Sequence, residues 1–121
     1  FIKKVIVMKK ANIQVNTIKK VVNINVEGRM TEEDSKIFVS EYNSKMRTIN
    51  PADYTLEVDC SEMQILPQDM VEDLTNVMKL YKSSGFNKII YKIKSSTTMK
   101  MQLTRIARNA GLTNYSIVVA N

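Results

Sequence analysis

The chain has 121 residues, of which 44% are hydrophobic and 25% charged, with three glycines and two prolines. These values are typical of one globular domain and favour neither a fibrous repeat nor a disordered chain. The sequence contains no histidine and a single cysteine. An intramolecular disulfide, a zinc site built from Cys and His, and a triad with a histidine base are therefore excluded.

The apolar runs of the sequence are only a few residues long. A helix that crosses a bilayer needs roughly 20 consecutive apolar residues, so we expect no membrane span. Lys9 and Lys10 end the first apolar patch too early for the core of a signal peptide. We therefore expect a single domain, residues 1–121, in the cytoplasm.

The chain carries 18 basic and 12 acidic residues, a net charge of +6. An excess of cations favours binding to phosphates, with release of counterions. Acidic clusters at 32–34, 57–62 and 69–73 separate the basic groups, so a requirement for solubility explains the charge better than a polyanion-binding surface does. If the chain does bind a polyanion, the candidate contacts are Lys9, Lys10, Lys100, Arg105 and Arg108.

The first 20 residues contain two short strand candidates, at 2–8 and 12–16, followed by a turn at 16–19. The segment 21–26 alternates strictly, with Val22, Ile24 and Val26 on one side, and predicts a half-buried strand. Residues 1–20 are therefore expected to add N-terminal strands to a core that extends from 21 to 119.

A helix is predicted to begin at Thr31, because a threonine cap followed by three acids satisfies free amides and complements the helix dipole. It is expected to end near Asn50, since Pro51 disfavours a helical residue before it. The segment 54–60 returns to a period of two, which predicts a second core strand.

Two further helices are predicted from apolar stripes. One begins around Pro67 and ends at Gly85, and the other is capped by the polar run 95–98 and ends at Gly111. Strands at 87–93 and 115–119 complete the order β, α, β, α, β, α, β, with crossovers long enough for parallel pairing. The sequence thus predicts an α/β fold with a mixed sheet of four to six strands and three main helices packed on it.

Few residues carry a recognisable chemistry. Cys60 lies in a predicted strand and is interpreted as a small buried hydrophobe. The acids near the helix starts are interpreted as capping groups, and the methionines mostly as core residues. We therefore expect a non-catalytic protein with no metal and no cofactor.

Three segments, in this order and spacing, suggest a family. They are 22–30, a strand that runs into a turn containing Gly28; 56–63, a strand that ends in Asp59-Cys60-Ser61; and 93–112, a strand, a Ser/Thr-rich turn and a basic helix ending in Gly111-Leu112. Over residues 21–119 the chain resembles a STAS domain, the fold of bacterial anti-sigma factor antagonists and of stressosome scaffold subunits.

In that family a serine at the start of the second helix is phosphorylated by a partner kinase. Counting from Asp59, that position falls on Asp69. The resemblance implies a bacterial regulatory or scaffold module that lacks the serine switch, with Asp69 partly imitating the charge of phosphoserine. Alternatively, Asp69 only favours the first helical turn.

The resemblance also implies a partner surface made by the loop 65–70, the exposed face of the second helix and the turn 27–30. Its candidate residues are Arg29, Ile65, Leu66, Gln68, Asp69 and Met70. The apolar residues Met63, Ile65 and Leu66 either stay exposed for docking or plug the end of the sheet. The implied partner is a regulatory kinase, an anti-sigma factor or a scaffold subunit.

Two alternatives come from other functional classes. One is a structural subunit of a larger homo-oligomer or particle, bridged by the N-terminal strands. The other is a basic module that binds nucleic acid or an anionic lipid surface, whose affinity would fall steeply with salt.

Overall fold

The structure of the chain is a computed structural model that describes residues 11–26, 31–63, 66 and 68–119. The strand predicted at 2–8 and the candidate residues Lys9, Lys10, Arg29 and Ile65 lie outside the described residues. The strands are β1 (Ala11–Asn16), β2 (Val21–Val26), β3 (Thr55–Asp59), β4 (Lys88–Ile93) and β5 (Tyr115–Val119). The helices are α1 (Glu32–Met46), α2 (Val71–Ser84) and α3 (Thr97–Ala110), with short 3-10 helices at Pro51–Asp53 and Gln68–Met70.

The five described strands form one mixed sheet in the order β1-β2-β3-β4-β5. β1 pairs with β2 in antiparallel fashion, and β2 to β5 are parallel to one another. Each parallel strand is joined to the next by one of the three helices. The predicted α/β class and the mixed sheet with three helices are confirmed.

The predicted caps mark the start of α1, the start of α3 and the ends of α2 and α3, whereas α1 ends at Met46, before the predicted Asn50, and α2 begins at Val71, after the predicted Pro67. At the start of α1, the Asp34 N–H donates to Thr31 Oγ1 (3.1 Å) and the Thr31 N–H donates to Asp34 Oδ2 (2.9 Å), a reciprocal capping box. Ser96 caps α3 by accepting from the Met99 N–H at 3.1 Å. Gly85 and Gly111 follow α2 and α3 with φ of 81°, the left-handed conformation that glycine adopts without strain.

One face of the sheet forms the hydrophobic core. In β2 and β3 the buried residues alternate as predicted, and the register places Val22 beside Leu56 and Ile24 beside Val58. Leu56 and its β4 neighbour Ile89 are essentially inaccessible to solvent. From the helices, Phe38, Tyr42, Met78, Tyr81, Met99, Leu103 and Ile106 complete this core.

The opposite face of the sheet is polar. Its first cross-strand row reads Asn12, Asn25, Asp59, Lys92 and Val118 from β1 to β5, and its second reads Gln14, Asn23, Glu57, Ile90 and Ser116. The Lys92 ammonium pairs with the Glu57 carboxylate at 3.0 Å. Because these side chains alternate with the core residues, the three helices pack on the other face.

Replacing Thr31 by alanine tests the cap of α1. The Asp34 N–H then loses its acceptor, so the free energy of unfolding should fall by about 1 kcal/mol in urea denaturation. Thr113→Ala, at an exposed position between α3 and β5, is the matched control and should change stability by less than about 0.5 kcal/mol. Equal stability of the two variants would contradict the assigned cap.

Candidate functional site

The carboxyl ends of the parallel strands meet at one edge of the sheet. We call this the carboxyl edge and define it as residues 31–36, 59–63, 66, 68–73 and 92–100. It contains the starts of all three helices. Eight acids lie here, with four cations: Glu32, Glu33, Asp34, Asp59, Glu62, Asp69, Glu72 and Asp73, against Lys36, Lys92, Lys94 and Lys100. The described part of this edge is therefore acidic.

The Asp59-Cys60-Ser61 segment forms a tight turn at the end of β3. Asp59 Oδ1 accepts from the Ser61 N–H at 2.9 Å and from the Ser61 hydroxyl at 2.6 Å. Burial tends to raise the pKa of Asp59, but the two Ser61 hydrogen bonds and the charge of Lys92 outweigh it and hold that pKa below its ordinary value. Asp59 is thus an ionised residue that fixes the turn.

The chain just before α2 is held by a side chain of α3. The Leu66 N–H donates to Gln102 Oε1 at 2.9 Å, and Gln102 Nε2 donates to the Leu66 carbonyl at 3.0 Å. The amide of Gln102 therefore binds both backbone groups of Leu66, as a neighbouring strand would. Sequence reasoning missed Gln102; the available signal is a polar side chain directly before the core residue Leu103 in an otherwise regular apolar stripe.

Leu66 and Met70 are both buried, each with 3% of its surface exposed. Met63 is buried as well. This corrects the expectation that Leu66 and Met70 belong to an exposed partner surface, since their apolar side chains complete the core beneath this end of the sheet. Of the two alternatives for Met63 and Leu66, exposure for docking or closure of the end of the sheet, their burial agrees with the second.

Gln68 and Asp69, in contrast, are exposed. They occupy the first two positions of the 3-10 helix that runs directly into α2, and the third position is the buried Met70. The exposed pair is therefore anchored on both sides, by Leu66 through Gln102 and by Met70 through the core. Of the predicted partner residues, these two stay together at the surface of the carboxyl edge.

The three predicted polyanion contacts that the structure describes do not form one cluster. Lys100, Arg105 and Arg108 are exposed on α3. Lys100 lies in the first turn and Arg108 in the last, which separates their backbones by about 12 Å along the helix axis. Lys100 thus belongs to the carboxyl edge and Arg108 to the opposite edge of the sheet.

Cys60 and two of the tyrosines lie in the core. Cys60 is 5% exposed, which confirms the interpretation as a buried hydrophobe. Tyr81 and Tyr91 are buried too, so their rings are inaccessible to nucleic-acid bases. The Tyr91 hydroxyl has no hydrogen-bond partner among the described residues.

Within the described ranges, no group of three or more Cys, Asp or Glu residues could hold a metal ion. None of the described helices is long and apolar enough to cross a membrane. The chain matches no protein-family model, and no curated protein or solved structure matches it.

Replacing Gln102 by alanine tests the clamp on Leu66. Loss of two part-buried hydrogen bonds should lower the free energy of unfolding by about 1–3 kcal/mol and speed hydrogen exchange at Leu66. Thr104→Ala is the matched control on α3, because the Thr104 hydroxyl is exposed and donates only to the Lys100 carbonyl of its own helix. Unchanged exchange at Leu66 in Gln102→Ala would show that the clamp does not hold the loop.

The reactivity of Cys60 tests its burial. Burial and the nearby charge of Asp59 raise the pKa of the Cys60 thiol to about 12. At pH 8 the native thiol should therefore react with a disulfide reagent roughly a thousandfold more slowly than the denatured chain. Because the folded pKa lies above the unfolded value, the stability that Cys60 contributes is complete at neutral pH. This stability should be lost as pH rises from about 9 towards 12. In the reactivity experiment, equal rates of thiol modification in the native and the denatured chain would refute the burial of Cys60.

Proposed function

We propose that the chain is a non-catalytic protein-binding module of the STAS type that captures its partner through Gln68 and Asp69 at the carboxyl edge. The observation that carries the proposal is the exposure of these two residues on a 3-10 helix whose flanking residues are fixed in the core. A surface held in this way loses little conformational freedom on binding, which favours affinity. On this proposal the domain is not an enzyme.

The acidity of the carboxyl edge supports a basic partner surface. Asp69 is followed by Glu72 and Asp73 in the first turn of α2, and Glu62 lies in the preceding turn. A partner that presents lysines or arginines would be attracted to this edge before contact, since complementary charge accelerates encounter. Asp69 then contributes a permanent negative charge at the position where STAS proteins carry the regulated serine.

This placement implies a constitutive module. A serine gains charge only when it is phosphorylated, whereas an aspartate at this position needs no modification to carry a negative charge. Regulation would then depend on partner abundance and not on modification of this position. A bacterial scaffold or regulatory subunit with a kinase or anti-sigma partner fits this behaviour.

The experiment is affinity capture from extracts of the source cells with a charge-reversed variant, Gln68→Lys/Asp69→Lys. Its matched control is Ala52→Lys/Asp53→Lys, which changes an equally exposed pair in the other 3-10 helix, at the opposite edge of the sheet. We expect the first variant to lose the proteins that the unmodified domain retains, by at least about tenfold, and the control to keep them. Equal capture by both variants would refute the partner surface.

A serine variant separates the STAS assignment from a general acidic surface. Asp69→Ser restores the hydroxyl that the family presents at this position, and incubation with ATP and extract should phosphorylate it. Mass spectrometry would locate the phosphate, and Asp53→Ser at the other 3-10 helix should stay unmodified. If the charge-reversed variant loses its partner but the serine at position 69 is not phosphorylated, the partner surface would be supported. The relation to the kinase-regulated family would then be rejected.

A further inference from the structure

The amino ends of the parallel strands form a second edge, on the opposite side of the domain. We call it the amino edge and define it as residues 17–20, 45–55, 79–88 and 105–114. The register aligns Val21, Thr55 and Lys88 at the beginnings of β2, β3 and β4, and Ile89 beside Tyr115 of β5. This edge also contains the last turns of all three helices.

Backbone hydrogen bonds connect the segments of this edge across the sheet. The Thr55 N–H donates to the Lys20 carbonyl at 3.0 Å, and the Asn87 N–H donates to the Tyr54 carbonyl at 3.0 Å. Further along, the Ile89 N–H donates to the Asn114 carbonyl at 3.0 Å. The Asn114 amide donates in turn to the Phe86 carbonyl at 2.9 Å. The amino edge is therefore one connected platform and not a set of independent loops.

The platform carries nine cations and one acid. The cations are Lys19, Lys20, Lys45, Arg47, Lys79, Lys82, Lys88, Arg105 and Arg108, and the acid is Asp53. All nine except the half-buried Lys45 are exposed. Among the described residues, the structure records no ion pair that joins any of these cations to an acid. The positive charge of this edge is thus directed to solvent.

Complementation of helix dipoles accounts for only part of this charge. Cations such as Lys82 and Arg108 lie in the last turns of α2 and α3, where they stabilise the helix ends. Lys19 and Lys20 belong to the turn between β1 and β2, and Lys88 begins β4. These three cations have no helix end to stabilise, so the edge is more basic than its secondary structure requires.

An isoleucine protrudes from the same platform. Ile18 is 91% exposed, the most exposed large hydrophobic side chain among the described residues. Its turn is fixed, because Asn16 Oδ1 accepts from the Ile18 N–H at 3.1 Å and from the Lys19 N–H at 2.9 Å. The Lys20 ammonium lies 5.3 Å from the centroid of the Tyr54 ring. This contact holds Lys20, the last residue of the turn, against the edge. Ile18 is therefore an exposed apolar tip on a hydrogen-bonded turn that also carries Lys19 and Lys20.

We propose that the amino edge binds an anionic lipid surface, with its lysines and arginines at the headgroup phosphates and Ile18 inserted among the acyl chains. A negatively charged bilayer satisfies both features of the edge, since it attracts the cations and accepts the aliphatic tip. The domain lies on the membrane and does not cross it. This function is independent of the partner surface at the carboxyl edge.

A nucleic acid would account for the cations of the amino edge but not for the exposed Ile18. Binding to single strands normally includes stacking of bases on exposed aromatic rings. Within the amino edge Tyr54, Tyr81 and Phe86 are all buried. Tyr115, which begins β5 next to this edge, is half-buried, and its ring packs edge-on against that of Tyr91 with the centroids 6.4 Å apart. An acidic protein surface would likewise pair with the cations but offer no defined place for Ile18. The lipid surface is therefore the occupant that the observations favour.

The experiment measures sedimentation with phosphatidylcholine vesicles prepared with and without phosphatidylserine. The unmodified protein should bind only the vesicles that contain phosphatidylserine, and high salt should release it. Lys19→Glu/Lys88→Glu should weaken this binding by at least about tenfold, because each adsorbed cation contributes roughly fivefold. The matched control Lys94→Glu/Lys100→Glu makes the same change in net charge at the carboxyl edge and should bind within about twofold of the unmodified protein.

The apolar tip is tested separately. Ile18→Ser should lower vesicle binding by about tenfold, while Ile37→Ser, at an exposed position of α1, should leave it unchanged. Because the chain contains no tryptophan, Ile18→Trp provides a single fluorophore whose emission should shift to the blue on vesicle binding. Circular dichroism of each variant confirms that it is folded before the comparison.

Three outcomes would overturn the proposal. Equal loss of binding in both lysine variants would show a general effect of net charge. Tighter binding to an RNA or DNA oligonucleotide than to vesicles, unaffected by Ile18→Ser, would assign the edge to nucleic acid. Concentration-dependent self-association that Lys19→Glu/Lys88→Glu abolishes, without vesicle binding, would assign it to a second copy of this chain.

Discussion

The handedness of the crossovers is the constraint on which the rest of this structure depends. A connection between parallel strands is right-handed, and the strands here follow each other in sequential order across the sheet. Every crossover therefore moves in the same direction, and α1, α2 and α3 must all lie on the same face. None of the described helices covers the other face, which carries Asn, Gln and an ion pair where most parallel sheets are apolar.

The same constraint produces the two chemically different edges. All three helices begin at the carboxyl ends of the strands and end at the amino ends, so their dipoles are parallel. Acids in the first turns of α1 and α2, and one cation in the last turn of each of the three helices, stabilise their own helix, whereas α3 has no acid in its first turn. Because the helices are side by side, these local preferences add up to an acidic edge and a basic edge. Capping chemistry thus produces part of the polarity of the domain, whereas Lys19 and Lys20 in the turn with Ile18, and Lys88 at the start of β4, add charge that capping does not explain.

Much of this architecture could be predicted from periodicity and caps. The alternation from Tyr54 to Cys60 identified β3 and its buried face, and Gly85 and Gly111 marked the helix ends. These signals are local, because each depends on residues a few positions apart. The order of the strands was not encoded locally, so the gathering of cations from four separate segments at one edge could not be seen in the sequence.

At the candidate site, too, some features could be predicted from the sequence and others could not. Its position at the start of the second helix followed from the resemblance, but the orientation of each side chain there did not. An apolar residue in a loop has no periodicity to assign it a face, so the burial of Leu66 and Met70 depended on contacts with distant elements. Gln102 lies 36 positions from Leu66 along the chain, and no sequence pattern links a helical glutamine to a particular loop backbone.

The distance between the two edges decides whether both proposed functions can operate together. Strands of five or six residues separate the edges by roughly 17–20 Å. A domain that lies on a membrane through its amino edge would hold Gln68 and Asp69 on the side away from the lipid, beyond the Debye length of about 8 Å in physiological salt. The acidic carboxyl edge would then be neither repelled by the anionic surface nor covered by it, so a partner could bind there while the domain remained on the membrane.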